Sequence, residues 1–309
     1  MAEALRCPIC ASADTRFLAR TRDVEYFATL DEYDYVCCER CGTVFLRDPP
    51  VDQLERIYPP TYYSSDREER GGLLARVKDA LDRAFFRELL SELPGDELRV
   101  IDIGGGTGWI ASALRRSDPR VHETVVVDLN EDMREVAEAR GHRFVCSTIE
   151  AVDLDQTFDV VMLLNLIEHV RDPRAVLRRL LGLLAPEGVL VIKTPNTRTL
   201  DRRLFEGTYW GGYHAPRHWI LFNRENFTSL ALECGYRVRS LRFTQGAPQW
   251  AASVMALLLR RGWVKLSHQR PMVHHPLFAL CMVVFAGLDL LRAPFSQTAQ
   301  MFVVLEKAD

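Results

Sequence analysis

The run Val100-Ile101-Asp102-Ile103-Gly104-Gly105-Gly106-Thr107-Gly108 constrains this chain more than any other stretch. An apolar run ends in a glycine-rich turn and an amphipathic segment starts at Trp109, so a buried strand passes into a helix through one tight loop. Glycines at 104, 106 and 108 tolerate turn backbone that side chains resist, and they let a ligand lie against bare peptide. Short apolar runs then alternate with amphipathic segments. Strands are predicted at 98–103, 123–128, 143–146, 158–164, 188–194, 236–243 and 301–306, with helices starting near Trp109, Glu131, Pro173 and Arg224. Strands that alternate with helices build a parallel sheet covered on both faces, so the predicted class is α/β. Residues 195–222 and 247–299 interrupt the alternation.

A G-x-G turn by itself also suits a dinucleotide. Asp102 argues otherwise, because a carboxylate beside the loop repels a pyrophosphate but can hold a cationic amino-acid end through the loop or a water. Asp128 ends the next strand, where a carboxylate can accept both hydroxyls of a ribose or cap the helix that begins near Glu131. Together the two residues point to a nucleoside carrying an amino acid.

The eight cysteines carry a second constraint. MAEALRCPIC has no apolar stretch that could act as a signal peptide, so the chain is expected in a reducing, cytoplasmic compartment where disulfides do not persist. Cys7-Pro8-Ile9-Cys10 and Cys38-Glu39-Arg40-Cys41 form two C-x2-C pairs, each able to present two sulfurs from one turn to a tetrahedral Zn²⁺. TRDVEYFAT and DYVCC suit the β-hairpin that would bring the knuckles together. Four thiolates leave no open coordination position, so the metal expected at Cys7, Cys10, Cys38 and Cys41 is structural. Cys37 is out of register, and Cys146, Cys234 and Cys281 read as core thiols.

Charge separates the partners. The net charge of −3 divides into −7 over residues 1–97, −3 over 98–194 and +7 over 195–309. An acidic N-terminal third is a poor footprint for nucleic acid. The basic last third suits an anionic small molecule or a membrane surface. The most apolar stretch, 277–288, is shorter than the roughly 20 residues of a membrane span and reads as a buried helix or an interfacial hairpin.

VIDIGGGTG, Asp128, FDVVMLLNLIEHVRDP, LLAPEGVLVIKTPN and the closing strand pair together resemble the class I S-adenosylmethionine-dependent methyltransferases over about residues 98–309. The C-x2-C pairs with YPPTYYSSD, EHVRDP and PRHWILF narrow the resemblance to zinc-ribbon-bearing methyltransferases of small-molecule and cell-surface sugar pathways, related to the ubiquinone-pathway O-methyltransferases. The resemblance implies a Rossmann-like seven-stranded sheet with the last strand antiparallel, a small N-terminal zinc-ribbon domain and a helical insertion before the last strand. The domains are then a ribbon over 1–60, a helical connector over 61–97 and the methyltransferase domain over 98–309. Carried over by position, Asp102, Gly104, Gly106 and Gly108 meet the methionine part and Asp128 the ribose. Leu129 covers one adenine face, while Thr148 and Ile149 reach the adenine edge, although family members often have Asp at the first of these. Asn165 joins the cofactor set; the ubiquinone-pathway enzymes carry there the first Glu of an E-x2-E-H metal set, and its loss here weighs against a catalytic divalent metal, although Glu168, His169 and a distant histidine could still hold one. Tyr62 and Tyr63 are implied to reach the cofactor from the N-terminal side.

A sulfonium methyl is already activated, so its transfer depends on alignment and exclusion of water, with a base to remove the acceptor's proton. His169 follows the fourth strand at the sheet's carboxyl edge, with Glu168 beside it to orient it or to favour the next helix N-terminus. In WGGYHAPRHWILF, His214 and His218 are further candidate bases, and Arg217 could pair an anionic substrate group. Basic residues flanking the apolar segments of 250–292 suggest a peripheral membrane contact or a lid; a helical cap packed on the sheet is the plainer reading. The expected function is O-methylation of a small, anionic acceptor with a histidine base. The alternatives are C-methylation of a nucleotide-linked sugar, RNA methylation, and a non-catalytic zinc scaffold.

Overall fold

The computed structural model describes residues 5–59 and 83–308. Tyr62, Tyr63 and most of the predicted connector lie outside the described residues.

The N-terminal region is a hairpin, β1 (Thr15–Arg22) and β2 (Glu32–Cys38), extended by β3 (Val44–Leu46) and followed by the single turn α1 (Leu54–Ile57). A helix over 83–91 (α2) leads into β4 (Leu98–Ile103), α3 (Trp109–Ser117), β5 (Val121–Asp128), α4 (Arg134–Ala139) and β6 (Arg143–Cys146). The second half runs β7 (Phe158–Leu164), α5 (Pro173–Leu183), β8 (Leu184–Pro195), α6 (Leu200–Phe205), β9 (Ile220–Leu221), α7 (Arg224–Glu233) and β10 (Tyr236–Thr244). A helical pair, α8 (Ala247–Arg260) and α9 (Pro276–Arg292), precedes β11 (Gln300–Lys307).

Seven strands form one sheet in the order β10-β11-β8-β7-β4-β5-β6, with β11 antiparallel to both neighbours and the other pairs parallel. This is the Rossmann-like sheet expected from the resemblance. Alternation along each strand separates two cores: Ile101 and Ile103 face one side with Val161 and Leu190, and Val100 faces the other with Val160 and Val191. Phe86, Leu89 and Leu90 of α2 lie in that second core, so residues 83–91 are one of the sheet's covering helices. Helix starts follow local chemistry: Asp172 accepts from Ala175 N ahead of Pro173, and Asn223 and Asn226 form a capping box for α7.

The ribbon is fused to this domain. β9 pairs with β3, making a second sheet in the order β1-β2-β3-β9, and the first core runs without a break from Tyr35 and Val44 to Leu190 and Ile192. The PRHWILF segment therefore belongs to both bodies. No described helix is long and apolar enough to cross a membrane.

The single cysteines divide. Cys234 is buried as expected, but Cys146 is exposed at the end of β6 and Cys281 is half-buried on α9. The stretch 277–288 is not a buried helix either; of α9, only Asp289 is fully buried.

Candidate active site

The cofactor side is built around the turn after β4. Gly104, Gly106 and Gly108 have φ of +76°, +52° and +74°, backbone that L side chains rarely adopt. A Cβ on Gly108 would stand 2.4 Å from His142, which is fixed beneath the loop by Thr124 and Ser112. Asp102 lies directly under the turn: a Cβ on Gly105 would meet its carboxylate at 2.8 Å. Its Oδ2 is buried without a hydrogen-bond partner. Burial, with Asp128 nearby, raises the Asp102 carboxyl to about 7. Asp128 accepts from Gly106 N at 2.9 Å through one oxygen and from Asn130 N at 2.9 Å through the other, so it ties the glycine turn to the next loop. An orphaned carboxylate oxygen below the turn and a half-buried carboxylate at the end of β5 fit a ligand with an ammonium and a ribose.

The remaining cofactor candidates take different local roles. Leu129 is 55% exposed at this edge. Thr148 accepts from Ala151 N and caps the turn after β6, and Ile149 is in the core, which leaves backbone rather than side chains to meet an adenine there. Asn165 is exposed with φ +52° after β7. The next residue, Leu166, lies against Gly104, so the two loops touch.

That contact leads to the histidines. Ile167–His169 form a short 3-10 turn that carries Glu168 and His169, and Trp219 N donates to Glu168 O, joining PRHWILF to it. The rings of His169 and His218 have centroids 4.7 Å apart, His214 and His218 4.9 Å, and His169 and His214 6.4 Å. The sequence candidates thus converge, each with a distinct partner. His169 Nδ1 is hydrogen-bonded to the Tyr58 hydroxyl at 2.8 Å. His218 Nδ1 donates to Gly212 O at 2.8 Å, which leaves its Nε2 as the acceptor, 3.9 Å from Glu168 Oε1. Glu168 is fully buried, takes a hydrogen bond from Thr194 on its other oxygen, and has no partner for Oε1. Burial raises its carboxyl to about 8. Burial pulls the imidazoles the other way, His169 to about 3 and His218 well below its ordinary value; His214 and Arg217 add to the first, and the two neighbouring imidazoles to the second. Near neutrality these two rings are uncharged.

His214 has the carboxylate. Its Nδ1–H donates to Glu25 Oε1 at 2.9 Å, and the Tyr209 hydroxyl donates to the same oxygen at 2.6 Å. Burial works against the Glu25 carboxylate, but His214 and Tyr209 hold it below its usual range. A carboxylate on Nδ1–H fixes the tautomer with Nε2 as the proton acceptor.

Two expectations change. Arg217 does not meet an anionic substrate: it is fully buried, donates to Asp23 at 2.8 Å and to Ile57 O at 2.8 Å, and lies over the Tyr26 ring. Asp23 also accepts from the N–H groups of Glu25, Tyr26 and Ala28, so this ion pair shapes the loop that carries Glu25. Glu168, expected to orient His169, makes no hydrogen bond to it: it accepts from Thr194, and it shares with His169 and His218 a group whose carboxylate oxygen and ring nitrogens all lie within 4.8 Å of one another. Tyr58, Glu25, Asp23 and Thr194 were not among the sequence candidates. The Asp-x-Glu-Tyr break in the β1–β2 connection was the available signal, and no periodicity marks it.

In the ribbon, Cys7 and Cys41 Sγ are 3.6 Å apart and Cys10 and Cys38 Sγ 3.5 Å, and all four lie within 4.8 Å of one another. Tetrahedral Zn–S bonds of about 2.3 Å place sulfurs close to these separations. The set fits one closed zinc site. Cys37 is outside it, buried beside Arg202.

Sheet order, glycine turn and paired carboxylates define the class I S-adenosylmethionine-dependent methyltransferase fold. A family model described as a methyltransferase domain matches residues 68–241, and the chain belongs to this family. It is similar to the ubiquinone biosynthesis O-methyltransferase of Bradyrhizobium diazoefficiens, 30% identical over 131 residues, covering 40% of this chain and 50% of that protein. The mitochondrial ubiquinone biosynthesis O-methyltransferase of Arabidopsis thaliana is 28% identical over 216 residues, 66% of this chain and 58% of that one. The chain thus spans about half the length of these relatives. Among solved structures, a sarcosine dimethylglycine methyltransferase candidate from Galdieria sulphuraria aligns with TM-score 0.50 at 16% identity, over 76% of this chain and 87% of its own, a likeness of fold.

Proposed function

We propose that this chain methylates a hydroxyl of a small acceptor at the histidine cluster, with S-adenosylmethionine bound at the glycine turn. The observation that carries the reading is the meeting of three imidazoles and two carboxylates beside the loop that touches Gly104. The bound donor supplies an activated methyl group. Asp102 and the Gly104–Gly108 backbone hold its amino-acid end, Asp128 accepts from the ribose, and Leu129 covers the base. The chain's chemical task is to take one proton and keep water out. His214 is the best-prepared base, because Glu25 fixes its tautomer and stabilises the imidazolium that forms. His169, steadied by Tyr58, and His218 line the same space as neutral donors or acceptors. The four cysteines hold a structural zinc, which supports the hairpin that delivers Glu25.

The relatives named for ubiquinone O-methylation support an oxygen acceptor. The test is incubation with a methyl-labelled donor and extracts of the source cell, followed by mass and proton–carbon NMR of the product. A carbon-bound methyl would overturn the O-methyl assignment. Absence of S-adenosylhomocysteine binding by calorimetry would remove the whole reading.

A further inference from the structure

The helical pair between β10 and β11 presents a surface that the site does not use. α9 packs on α8 through an inward side: Phe285 stacks on Trp250 with centroids 4.8 Å apart, and Phe278 joins Met255 and Met272 in a separate small core. Its base is locked by Asp289, which accepts from Gly246 N at 2.8 Å and Trp250 Nε1 and pairs with Arg292. The outward side is apolar. Leu277, Leu280, Val284 and Leu291 follow one another at helical spacing, 38%, 58%, 54% and 76% exposed, and Val283 and Leu290 widen the stripe. Phe295, just beyond the helix, is 89% exposed. No charged residue occurs between Pro276 and Leu288.

The charges around this stripe share one sign. Residues 247–299 hold five Lys or Arg and a single acidic residue, Asp289, which is fully buried and paired. Arg260, Arg261, Lys265 and Arg270, at the hairpin tip and its connection, are all exposed and form no ion pair among the described residues. Trp263, 70% exposed, sits among them under the Arg261 guanidinium. An apolar stripe with unpaired cations and an exposed tryptophan at its tip end complements an anionic bilayer surface, where apolar side chains enter the acyl boundary, Trp the headgroup layer, and Lys and Arg meet lipid phosphates. The same cluster of like charge at the tip opposes a second copy of the chain on this face.

We propose that the outer face of α9 with the α8–α9 tip docks on an anionic lipid surface, lying in the interface without crossing it. The helix on which α9 packs is in contact with the histidine loop: Ser253 of α8 accepts from Gly211 N at 2.8 Å, and a Cβ on Gly211 would strike Gln249 O.

The experiment is co-sedimentation of the full chain with phosphatidylcholine vesicles containing about one-quarter phosphatidylglycerol, against pure phosphatidylcholine. Binding to the anionic vesicles is expected, with a blue shift of tryptophan emission that Trp263→Phe diminishes and a decline as salt is raised. Arg260→Gln with Arg261→Gln should weaken partitioning about fivefold per charge removed. Val284→Glu with Leu291→Glu should weaken it by about tenfold or more, with S-adenosylhomocysteine binding retained as the check on folding. Equal partitioning to both vesicle types, or unchanged binding by the folded double-Glu variant, overturns the proposal. So does a concentration-dependent dimer in analytical sedimentation that Val284→Glu abolishes, which would put a second copy on the face.

Discussion

The proposed cofactor side draws its groups from one stretch, Asp102 to Leu129, linked by a hydrogen bond from Gly106 N to the Asp128 carboxylate. The histidine side takes Glu25 from the β1–β2 connection, Tyr58 from the end of α1, Glu168 and His169 from the turn after β7, Thr194 from β8, and His214 and His218 from the long interruption. A local site can be assembled by one strand–turn–helix unit. A dispersed site needs every supporting element in register, so the structural zinc proposed for the four cysteines, remote from the chemistry, belongs to its framework. The contrast also explains the burial of Arg217: its charge is used between Asp23 and the Ile57 carbonyl to hold the Glu25 loop against the domain.

The sharpest way to break the comparison is to disrupt the proposed zinc site. Cys38→Ser, or chelation, should release the ribbon and lower Tm by about 10 °C or more, because a structural zinc site carries folding free energy. Acceptor turnover should vanish before S-adenosylhomocysteine binding does; equal loss of both would mean that the two sides are one cooperative unit. Metal content, thermal melts and calorimetry on the same samples decide it. A smaller effect separates the histidines. His214→Ala should slow turnover by about 10²–10⁴-fold with cofactor affinity near normal, and Glu25→Gln should have a smaller effect in the same direction. His169→Ala and His218→Ala should also slow turnover while sparing the cofactor. Full activity in all three alanine variants would assign proton removal elsewhere. On the cofactor side, Asp128→Ala removes both the proposed ribose acceptor and the anchor of the glycine turn. Affinity for S-adenosylhomocysteine should fall by about 30- to 100-fold, equivalent to about 2–3 kcal/mol.

The smallest effect is in pH. Glu168 is raised to about 8 by burial, so its stabilisation is complete below its unfolded value and declines as pH rises toward 8. His169 is lowered to about 3, so its stabilisation is complete above its unfolded value near 6.5 and declines as pH falls from there toward 3. Between about pH 6.5 and 8 only the Glu168 decline operates for this pair, worth about 2 kcal/mol. Glu168→Gln should flatten stability over that window in denaturant titrations at stepped pH; an unchanged slope would mean the carboxyl is ionised throughout.

Legibility in the sequence followed the same division. The strands at 98–103 and 158–164 coincide with the observed β4 and β7, because a strand buried on both faces is a mostly apolar run bounded by polar turns, and 143–146 coincides with the short edge strand β6. β8 begins at Leu184, before the apolar run at 188, since Pro186 and Glu187 continue the extended backbone without its apolar pattern. His169, His214 and His218 could be named as candidates by residue type, but their convergence and their partners could not. Tyr58 lies on a single helical turn, Glu25 in a loop, and Thr194 looks like any β-branched strand residue.

The amino-acid order by itself determined the doubly covered parallel sheet, the glycine turn with its two carboxylates and the four-cysteine set, since each rests on periodicity or fixed spacing within a short segment. Tertiary structure alone decided which carboxylate serves which histidine, that Arg217 is an internal strut, that β9 joins the ribbon to the catalytic domain, and that α9 turns its apolar side outward. Those outcomes depend on pairings between segments distant in the chain, and a side chain's neighbours there are set by packing and desolvation of the whole fold.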